Sequence, residues 1–393
     1  MFTILPIKGF IDQIDGFYFD GISSGLKANN QKDLGFIYSS EPCDIEAVFT
    51  ENKFQAAPLK HFQNYEKNFK TNFVLINSKN ANAMTGKKGL ENIDTIFEAL
   101  NYDLVNPVMS STGVIGNPLP IEKIVNGANS FDLSAKNAKN LSEAIMTTDA
   151  YAKTAMYEVK LEDGKSFKIG AVAKGAGMIN PNLATMLCFI CTDAAVPREE
   201  MKELLEDNSE TTFNAISVDG DTSTNDTVML LSNAKSDAYN KEAFKEALRL
   251  VMHDMAMLMV ADGEGAKKAV AFEVRNAASK EEAQTAAKAL SNSLLVKTAL
   301  YGEDPNFGRI ASTIGASQVT CDEEKLLISY NDVIVFNKGE IVFDEVCEAK
   351  ASKVLENDKY KVICDLGAGE YSFTAYGCDL GYEYVKINAD YRT

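Results

Sequence analysis

Between positions 174 and 192 the chain passes from a segment built to bend into one built to be buried. Lys174-Gly-Ala-Gly-Met-Ile-Asn-Pro-Asn-Leu-Ala-Thr-Met-Leu187 opens with glycines and turns through Asn-Pro-Asn, residues that tolerate tight backbone geometry. Residues 186–192 then carry no charge, so they read as a strand that is apolar on both faces. Such a strand has to be covered on both faces, which requires a sheet sandwiched between other layers. Cys188-Phe-Ile-Cys191 inside it has the spacing of half a zinc site. Residues three apart on a strand face opposite sides, and no second pair or histidine cluster accompanies them, so core packing accounts for both thiols.

The same junction places a threonine where it can react with its own backbone. Ala184 offers an uncrowded carbonyl and the preceding turn permits the bend that attack needs. Cleavage between Ala184 and Thr185 would leave the Thr185 hydroxyl beside a new α-amine. That amine titrates ordinarily at about 7.7–8.0 and can serve as the base. A plain loop entering a strand fits these residues too.

Composition narrows the alternatives. A chain of 393 residues can bury a large core, as two domains or one two-lobed unit. A net charge of −17 repels phosphate backbones, so nucleic acid is excluded as a partner. Lysines and arginines are scattered, without the basic tract that suits a membrane surface, and no apolar run spans a bilayer. The N-terminal Met-Phe-Thr-Ile-Leu-Pro-Ile-Lys lacks a signal-peptide layout, so a cytoplasmic location is expected. Cys43, Cys188, Cys191, Cys321, Cys347, Cys364 and Cys378 are dispersed and odd in number, as reduced thiols are.

The first half reads as short strands joined by polar, Gly- and Asn-rich loops, with residues 73–77 a buried strand running into a loop over 80–89. Phe244, Leu248, Val251, Met252, Met255 and Met259 recur at helical spacing and predict a helix over 240–261. Ser279-Lys-Glu-Glu282 predicts a capping box that opens a second helix. A strand is expected over 270–275 and hairpins over 326–342 and 371–388. Strands and helices alternate without even βαβ spacing. The fold class is therefore α/β, a layered sandwich with mixed or antiparallel sheets.

Three motifs do not lead to chemistry. Gly21-Ile-Ser-Ser-Gly25 has nucleophile-elbow spacing around Ser23, but a poor helix start follows it. The only histidines are His61, in a charged, loop-like segment, and His253, within the long helix, so a Ser-His-Asp triad is not supported. Asp219-Gly-Asp-Thr-Ser-Thr-Asn-Asp226 opens like a calcium loop, yet its twelfth position is Leu230; a turn whose side chains bond the backbone fits as well, and no metal is expected. Gly263-Glu-Gly-Ala-Lys-Lys268 lacks phosphate-loop spacing.

What remains can build an acyl-transfer site. Ser110-Ser-Thr-Gly-Val-Ile-Gly116 can supply an oxyanion hole from the Thr112 hydroxyl and the Gly113 N–H, although an ordinary glycine turn has the same composition. With Asn82-Ala-Met-Thr-Gly86, Ser111-Thr-Gly-Val-Ile-Gly116, Met146-Thr-Thr-Asp149, residues 174–187, Val218-Asp-Gly-Asp-Thr-Ser-Thr-Asn-Asp226, Asp262-Gly-Glu-Gly-Ala266, Lys297-Thr-Ala, Asp304-Pro-Asn-Phe-Gly-Arg-Ile310 and Asn388-Ala-Asp-Tyr-Arg-Thr393 in this order, the chain resembles the ornithine acetyltransferase (ArgJ) family of arginine biosynthesis over nearly its whole length.

The resemblance implies a DmpA/ArgJ-like fold and self-cleavage at Ala184–Thr185. The products would be an α chain, 1–184, and a β chain, 185–393, folded together, with α2β2 or higher assembly. It implies acetyl transfer from N-acetylornithine to glutamate with no resident cofactor. Some members also draw acetyl from acetyl-CoA, and no CoA signature is visible, so both forms stay open. The roles it implies are Thr185 as nucleophile and Thr112 and Gly113 as oxyanion donors. Thr148 (or its neighbour Thr147), Lys174, Thr185, Glu264, Asn388 and Thr393 would bind substrate. Ala176, Ala150 and Phe307 depart from the family's usual Ser, Thr and Trp. An aminopeptidase of similar fold and a non-catalytic acidic binding protein are the competing readings. The threonine counts against the first, since those enzymes typically carry serine. The second predicts an intact chain.

Overall fold

Leu187–Thr192 is buried at every position. Its side chains alternate between two cores, as a strand inside a sandwich requires. Leu187, Phe189 and Cys191 pack with Phe17, Ile37, Ile45 and Leu141. Cys188 and Ile190 pack on the other face with Phe244, Leu248 and Met255. The two cysteines thus belong to different cores, and all seven cysteines are unpaired.

The computed structural model describes residues 1–180 and 186–390. Among them, two mixed sheets and the helices against them form the α/β sandwich expected. One sheet of nine strands runs Phe2–Pro6, Lys153–Leu161, Ser166–Lys174, Leu187–Thr192, Thr227–Ser232, Leu34–Phe49, Lys70–Asn77, Val108–Ser111, with Phe17–Ile22 paired to Leu34–Phe49. The second, of seven strands, runs Glu340–Ile341, Val333–Asn337, Leu327–Tyr330, Lys359–Asp365, Ala269–Ala277, Tyr371–Cys378, Ile216–Ser217. Helix Lys241–Ala261 covers the first sheet. The Asn240 side chain caps it by accepting the Ala243 N–H at 3.0 Å, a bond worth about 1 kcal/mol. Its Val251, Met255 and Met259 share a core with Cys378 of the second sheet, so this helix joins the two layers. Helix Lys280–Asn292 packs Ala283, Ala286, Ala287 and Leu290 against Phe272 and Val274 of the second sheet.

Strands from both sides of position 185 interleave. Leu187–Thr192 and Thr227–Ser232 lie inside the first sheet, between Ser166–Lys174 and Leu34–Phe49. A cut before residue 185 would therefore fall within one sheet rather than between lobes, and every ladder hydrogen bond across it would survive.

Several expectations need correction. The first half holds a 16-residue strand, Leu34–Phe49, and the helices Ala57–Gln63, Gly86–Glu98, Ile121–Ala128 and Ala138–Ile145, not only short strands and loops. His61 lies on the first of these helices, bonded to Asp94 at 3.1 Å and packed edge-on against Tyr65. The segment 371–388 is one strand followed by a helix, Tyr382–Asp390, that buries no residue. Ser279 accepts the Glu282 N–H at 3.2 Å, but the Glu282 carboxylate turns to Thr320 instead of closing the box. Gly21 ends no elbow: it is a strand residue whose absent Cβ would sit 2.2 Å from the Asn140 carbonyl. The turn after it is organised by Asp33, which accepts from the Ser24, Leu26 and Lys27 amides.

Candidate active site

Sheet register brings three chain segments to one point. Lys174 pairs antiparallel with Leu187, and Thr227 pairs parallel with Leu187 from the other side. The start of the central strand is thus flanked by Lys174 on one edge and by Asp226 and Thr227 on the other. The Thr227 N–H fixes this arrangement by donating to the Met186 carbonyl at 2.7 Å. The pocket at this end is lined by Thr112, Gly113, Thr147, Thr148, Lys174, Met186, Asp226, Glu264, Tyr384 and Asn388, among others. Thr112, Gly113, Thr148, Lys174, Glu264 and Asn388, each singled out from sequence, converge here. Ala184, Thr185 and Thr393 lie outside the described residues. Met186, the next residue after Thr185, lines the pocket. Thr147 and Thr148 both line it, and Thr147 also faces a neighbouring cavity with Lys27 and Lys79.

Thr112 and Gly113 follow the edge strand Val108–Ser111 and are folded back by their neighbours. Thr112 N–H donates to Asn77 O at 3.0 Å and Val114 N–H to Lys79 O at 3.1 Å. The Gly113 N–H between them has no partner among the described residues. Gly113 has φ +129°, and a Cβ there would lie 2.3 Å from the Lys79 carbonyl carbon, so only glycine permits the approach. Asn225 ties this loop to the far side of the pocket, its amide donating to Ala81 O and Ser111 O at 2.6 and 2.8 Å. Lys174 Nζ stands 3.2 Å from Thr112 Oγ1. When the ammonium donates to that oxygen, the hydroxyl proton is free to point elsewhere. Burial pushes the Lys174 ammonium below its usual range, opposed by Asp149 and Asp226.

Glu264 sits on the turn after the long helix, its N–H bonded to Ala176 O at 2.8 Å. Its carboxylate accepts from Asn388 Nδ2 at 2.6 Å and lies over Gly177, where a Cβ would come within 2.4 Å of Cδ. The absence of a side chain at Gly177 is what lets the carboxylate reach the pocket. Phe307, in contrast, stacks on Phe336 in the second core and is remote from this site.

Behind the pocket is a buried ion triad that the sequence did not reveal. Lys153 Nζ lies 2.6 Å from Asp149 Oδ1 and 2.5 Å from Asp262 Oδ2, with all three side chains nearly inaccessible. Asp149 also accepts the Gly175 and Thr147 N–H groups, at 2.7 and 3.0 Å. Asp262 accepts the Ala150 N–H. The triad therefore holds together the Thr147–Thr148 wall, the Lys174–Gly175 strand end and the turn that carries Glu264. Burial would raise the Asp149 carboxyl, but Lys153 and Lys174 outweigh it and hold it below the usual range.

Three carboxyls of the 219–226 turn also line the pocket, Asp221 being an exposed one. Asp219 is a turn organiser: it accepts the Met178 and Ile179 N–H groups at 2.6 and 2.9 Å and the Tyr384 hydroxyl at 3.2 Å. Asp226 is buried, one of its oxygens without a hydrogen-bond partner among the described residues. Among the described residues no helix is long and apolar enough to cross a membrane.

Comparison with known proteins gives one answer. The sequence profile of the ArgJ family matches residues 18–393. The arginine biosynthesis bifunctional protein ArgJ of Wolinella succinogenes is 58% identical over 100% of both chains. A glutamate N-acetyltransferase of Methanopyrus kandleri is 40% identical over 92% of this chain and 95% of its own. A crystal structure of the bifunctional protein ArgJ from Bacillus halodurans superposes with a TM-score of 0.50 at 38% identity, covering 53% of this chain and 100% of the solved one.

Proposed function

This chain belongs to the ArgJ family, and on that premise we propose that its pocket moves an acetyl group from N2-acetyl-L-ornithine to L-glutamate through an ester on Thr185, producing N-acetylglutamate for arginine biosynthesis. One observation carries the reading: Thr112, Gly113, Lys174, Glu264 and Asn388, scattered over more than half the chain, line one pocket with Met186. The chemistry follows from their types. The Thr185 oxygen attacks the acetyl carbonyl, and its proton passes to the α-amine. The carbonyl oxygen becomes an oxyanion, which the Gly113 N–H, without a partner among the described residues, and the Thr112 hydroxyl would receive. The C–N bond breaks, ornithine leaves with the proton, and the acetyl stays as an ester. The glutamate amine then attacks the ester and the threonine recovers its proton. Acetyl-CoA can load the same ester, its thiol leaving, which suits relatives named bifunctional.

The nucleophile would be generated by the chain itself. The Thr185 oxygen adds to the Ala184 carbonyl, the C–N bond gives way to an ester, and water hydrolyses that ester to a carboxylate and a free threonine. Removing residues 1–184 from 393 leaves 209, or 53% of the chain, the share that the solved Bacillus halodurans chain spans. That agreement in length supports the cut, and the interleaved strands explain why the pieces would stay joined.

Incubating the purified protein with acetylornithine and glutamate tests the reading: N-acetylglutamate should form with ping-pong kinetics. Two variants assign roles. Thr112→Val should keep near-normal KM while turnover falls about 10²–10³-fold, the usual consequence of losing one oxyanion donor. Full turnover in a folded, cleaved variant would remove Thr112 from the site. Glu264 matches an ornithine ammonium in charge, and truncating one partner of a desolvated pair costs about 2–5 kcal/mol. Glu264→Gln should accordingly raise KM for acetylornithine strongly while leaving self-cleavage intact. Kinetics unchanged within experimental error would withdraw that role.

A further inference from the structure

Two cavities meet at Thr147, and their charges differ in sign. The pocket described above sets one lysine, Lys174, among the carboxyls of Asp219, Asp221, Asp226 and Glu264. The walls of its neighbour carry the lysines Lys27, Lys32 and Lys79 with the carboxyls of Glu143 and Asp149. This second recess is also the larger, with a volume of ≈ 1270 Å³ against ≈ 900 Å³. In a chain of net charge −17 a basic recess is an exception, and this one shares a wall residue with the candidate active site.

The two carboxyls do not cancel the lysines. Asp149 is engaged by Lys153 Nζ at 2.6 Å, the Gly175 N–H at 2.7 Å and the Thr147 N–H at 3.0 Å. Glu143 is shared, with Lys32 Nζ 2.5 Å from one oxygen and Lys139 Nζ 4.0 Å from the other. The Lys27 ammonium donates to backbone carbonyls, Met146 O at 2.7 Å, Lys32 O at 2.9 Å and Ala144 O at 3.4 Å. Carbonyls satisfy its protons and leave its charge in place. Burial pushes Lys27 down to about 8, opposed by Asp33 and Asp149, while Lys174 and Lys79 press it further down. These two lysines are thus near enough to repel it. Like charges gathered in a recess concentrate anions there.

Sign and size together select the ligand. Acetylornithine carries no phosphate, and the roles given to Lys174 and Glu264 keep it in the first pocket. Acetyl-CoA carries its acetyl group at one end of a long arm and its phosphates at the other. The carboxyls of the first pocket oppose those phosphates, and the lysines of the adjoining recess attract them. We propose that this recess binds the phosphate-bearing end of acetyl-CoA, Lys32 pairing with a phosphate, Lys27 and Lys79 supplying positive field, and the acyl arm passing Thr147 into the acetyl pocket. The inference rests on the acyl transfer proposed above. Lys32 has the freedom this needs, since its side chain is 32% exposed and can turn from Glu143 to a phosphate.

Three acetyl donors test the assignment, each assayed with glutamate on wild type and on Lys32→Glu. They are acetyl-CoA, S-acetylpantetheine, which has the arm without the phosphates, and acetylornithine. Lys32→Glu should lower kcat/KM for acetyl-CoA about tenfold, an exposed attraction having become a repulsion, and move the other two donors by less than about twofold. The nucleotide half of CoA, 3′-phospho-ADP, should compete with acetyl-CoA and spare acetylornithine transfer, whereas inorganic phosphate at the same concentration should do neither harm. An acetyl-CoA value unmoved in Lys32→Glu overturns the inference, as does an equal fall for all three donors. Competition by phosphate as strong as by 3′-phospho-ADP would mark a small-anion site and also overturns it. Should Lys32→Glu fail to fold, Glu143→Gln takes its place. Removing the carboxylate that competes for Lys32 should raise kcat/KM for acetyl-CoA alone, and the absence of a rise overturns the inference. A wild type that uses acetylornithine but neither thioester overturns this inference and leaves the function proposed above standing. A wild type that uses no donor refutes that function itself.

Discussion

Thr185→Ala is expected to leave one intact chain and to abolish acetyl transfer. The wild-type protein should run as two fragments on a denaturing gel, the second reading Thr-Met-Leu-Cys from its N-terminus. The variant removes the only oxygen that the mechanism uses both to cut the chain and to carry the acetyl group, so both activities should go together. Losing a nucleophile typically costs about six orders of magnitude in turnover, with binding and oxyanion contacts supplying the small remainder. The strands on either side of the cut are paired within one sheet, so the uncut variant should still fold. Cleavage at the same bond in Thr185→Ala would show that another group attacks Ala184, and acetyl transfer by the intact variant would displace the threonine altogether.

Lys153→Met is expected to be among the most destabilising single changes in the molecule. Its ammonium is the cation within 2.6 Å of both Asp149 and Asp262, and none of the three side chains has appreciable access to water. Removing one member of a buried ion group leaves uncompensated charge and costs about 3–5 kcal/mol. Methionine fills much of the space, so the loss is electrostatic rather than a cavity. The sign with pH follows from the direction of the Asp149 shift. Its carboxyl is held below the usual range in the native protein. It therefore contributes stability above the unfolded value, about 3.9, which fades as pH falls through the lower folded value. In Lys153→Met that depression is relieved and the carboxyls favour protonation. The deficit should be largest near neutrality and shrink in acid. Urea unfolding at two pH values measures this, and a midpoint equal to wild type at neutral pH would show the triad to be energetically idle. Activity should fall too, because the triad holds the Thr147–Thr148 wall and the Glu264 turn against Lys174.

The central strand and the long helix were legible in the sequence through local signals, and most residues of the pocket only through the family resemblance. Residues 186–192 show two apolar faces, which only a doubly covered strand can satisfy, and the cores on either side take alternate side chains. The helix Lys241–Ala261 announces itself by its apolar period, and the Asn240 cap is what the structure adds. Thr112 and Gly113 stood out in a Gly-containing turn that could supply oxyanion donors, while Lys174, Glu264 and Asn388 were assigned only through the resemblance of their motifs to the ArgJ family. The helix Tyr382–Asp390 was misread as part of a hairpin because it buries nothing, so no apolar period marks it. Helix Gly86–Glu98 was missed for a different reason: its first residue is glycine and Thr85 before it makes no capping bond.

What the tertiary structure alone decided is which of these segments meet. Lys153 and Asp262 are 109 positions apart, and nothing near either residue marks a partner for a buried charge. Asp226 read as one turn acid among several, until the parallel pairing of Thr227 with Leu187 set it beside the residue after Thr185. Periodicity and turn chemistry act over a few residues, so the sequence by itself determined the elements and the kinds of group the site would hold. Sheet order and register act across the whole chain. They alone fixed which charges face one another, and so which carboxyl is satisfied by the backbone and which is left without a partner.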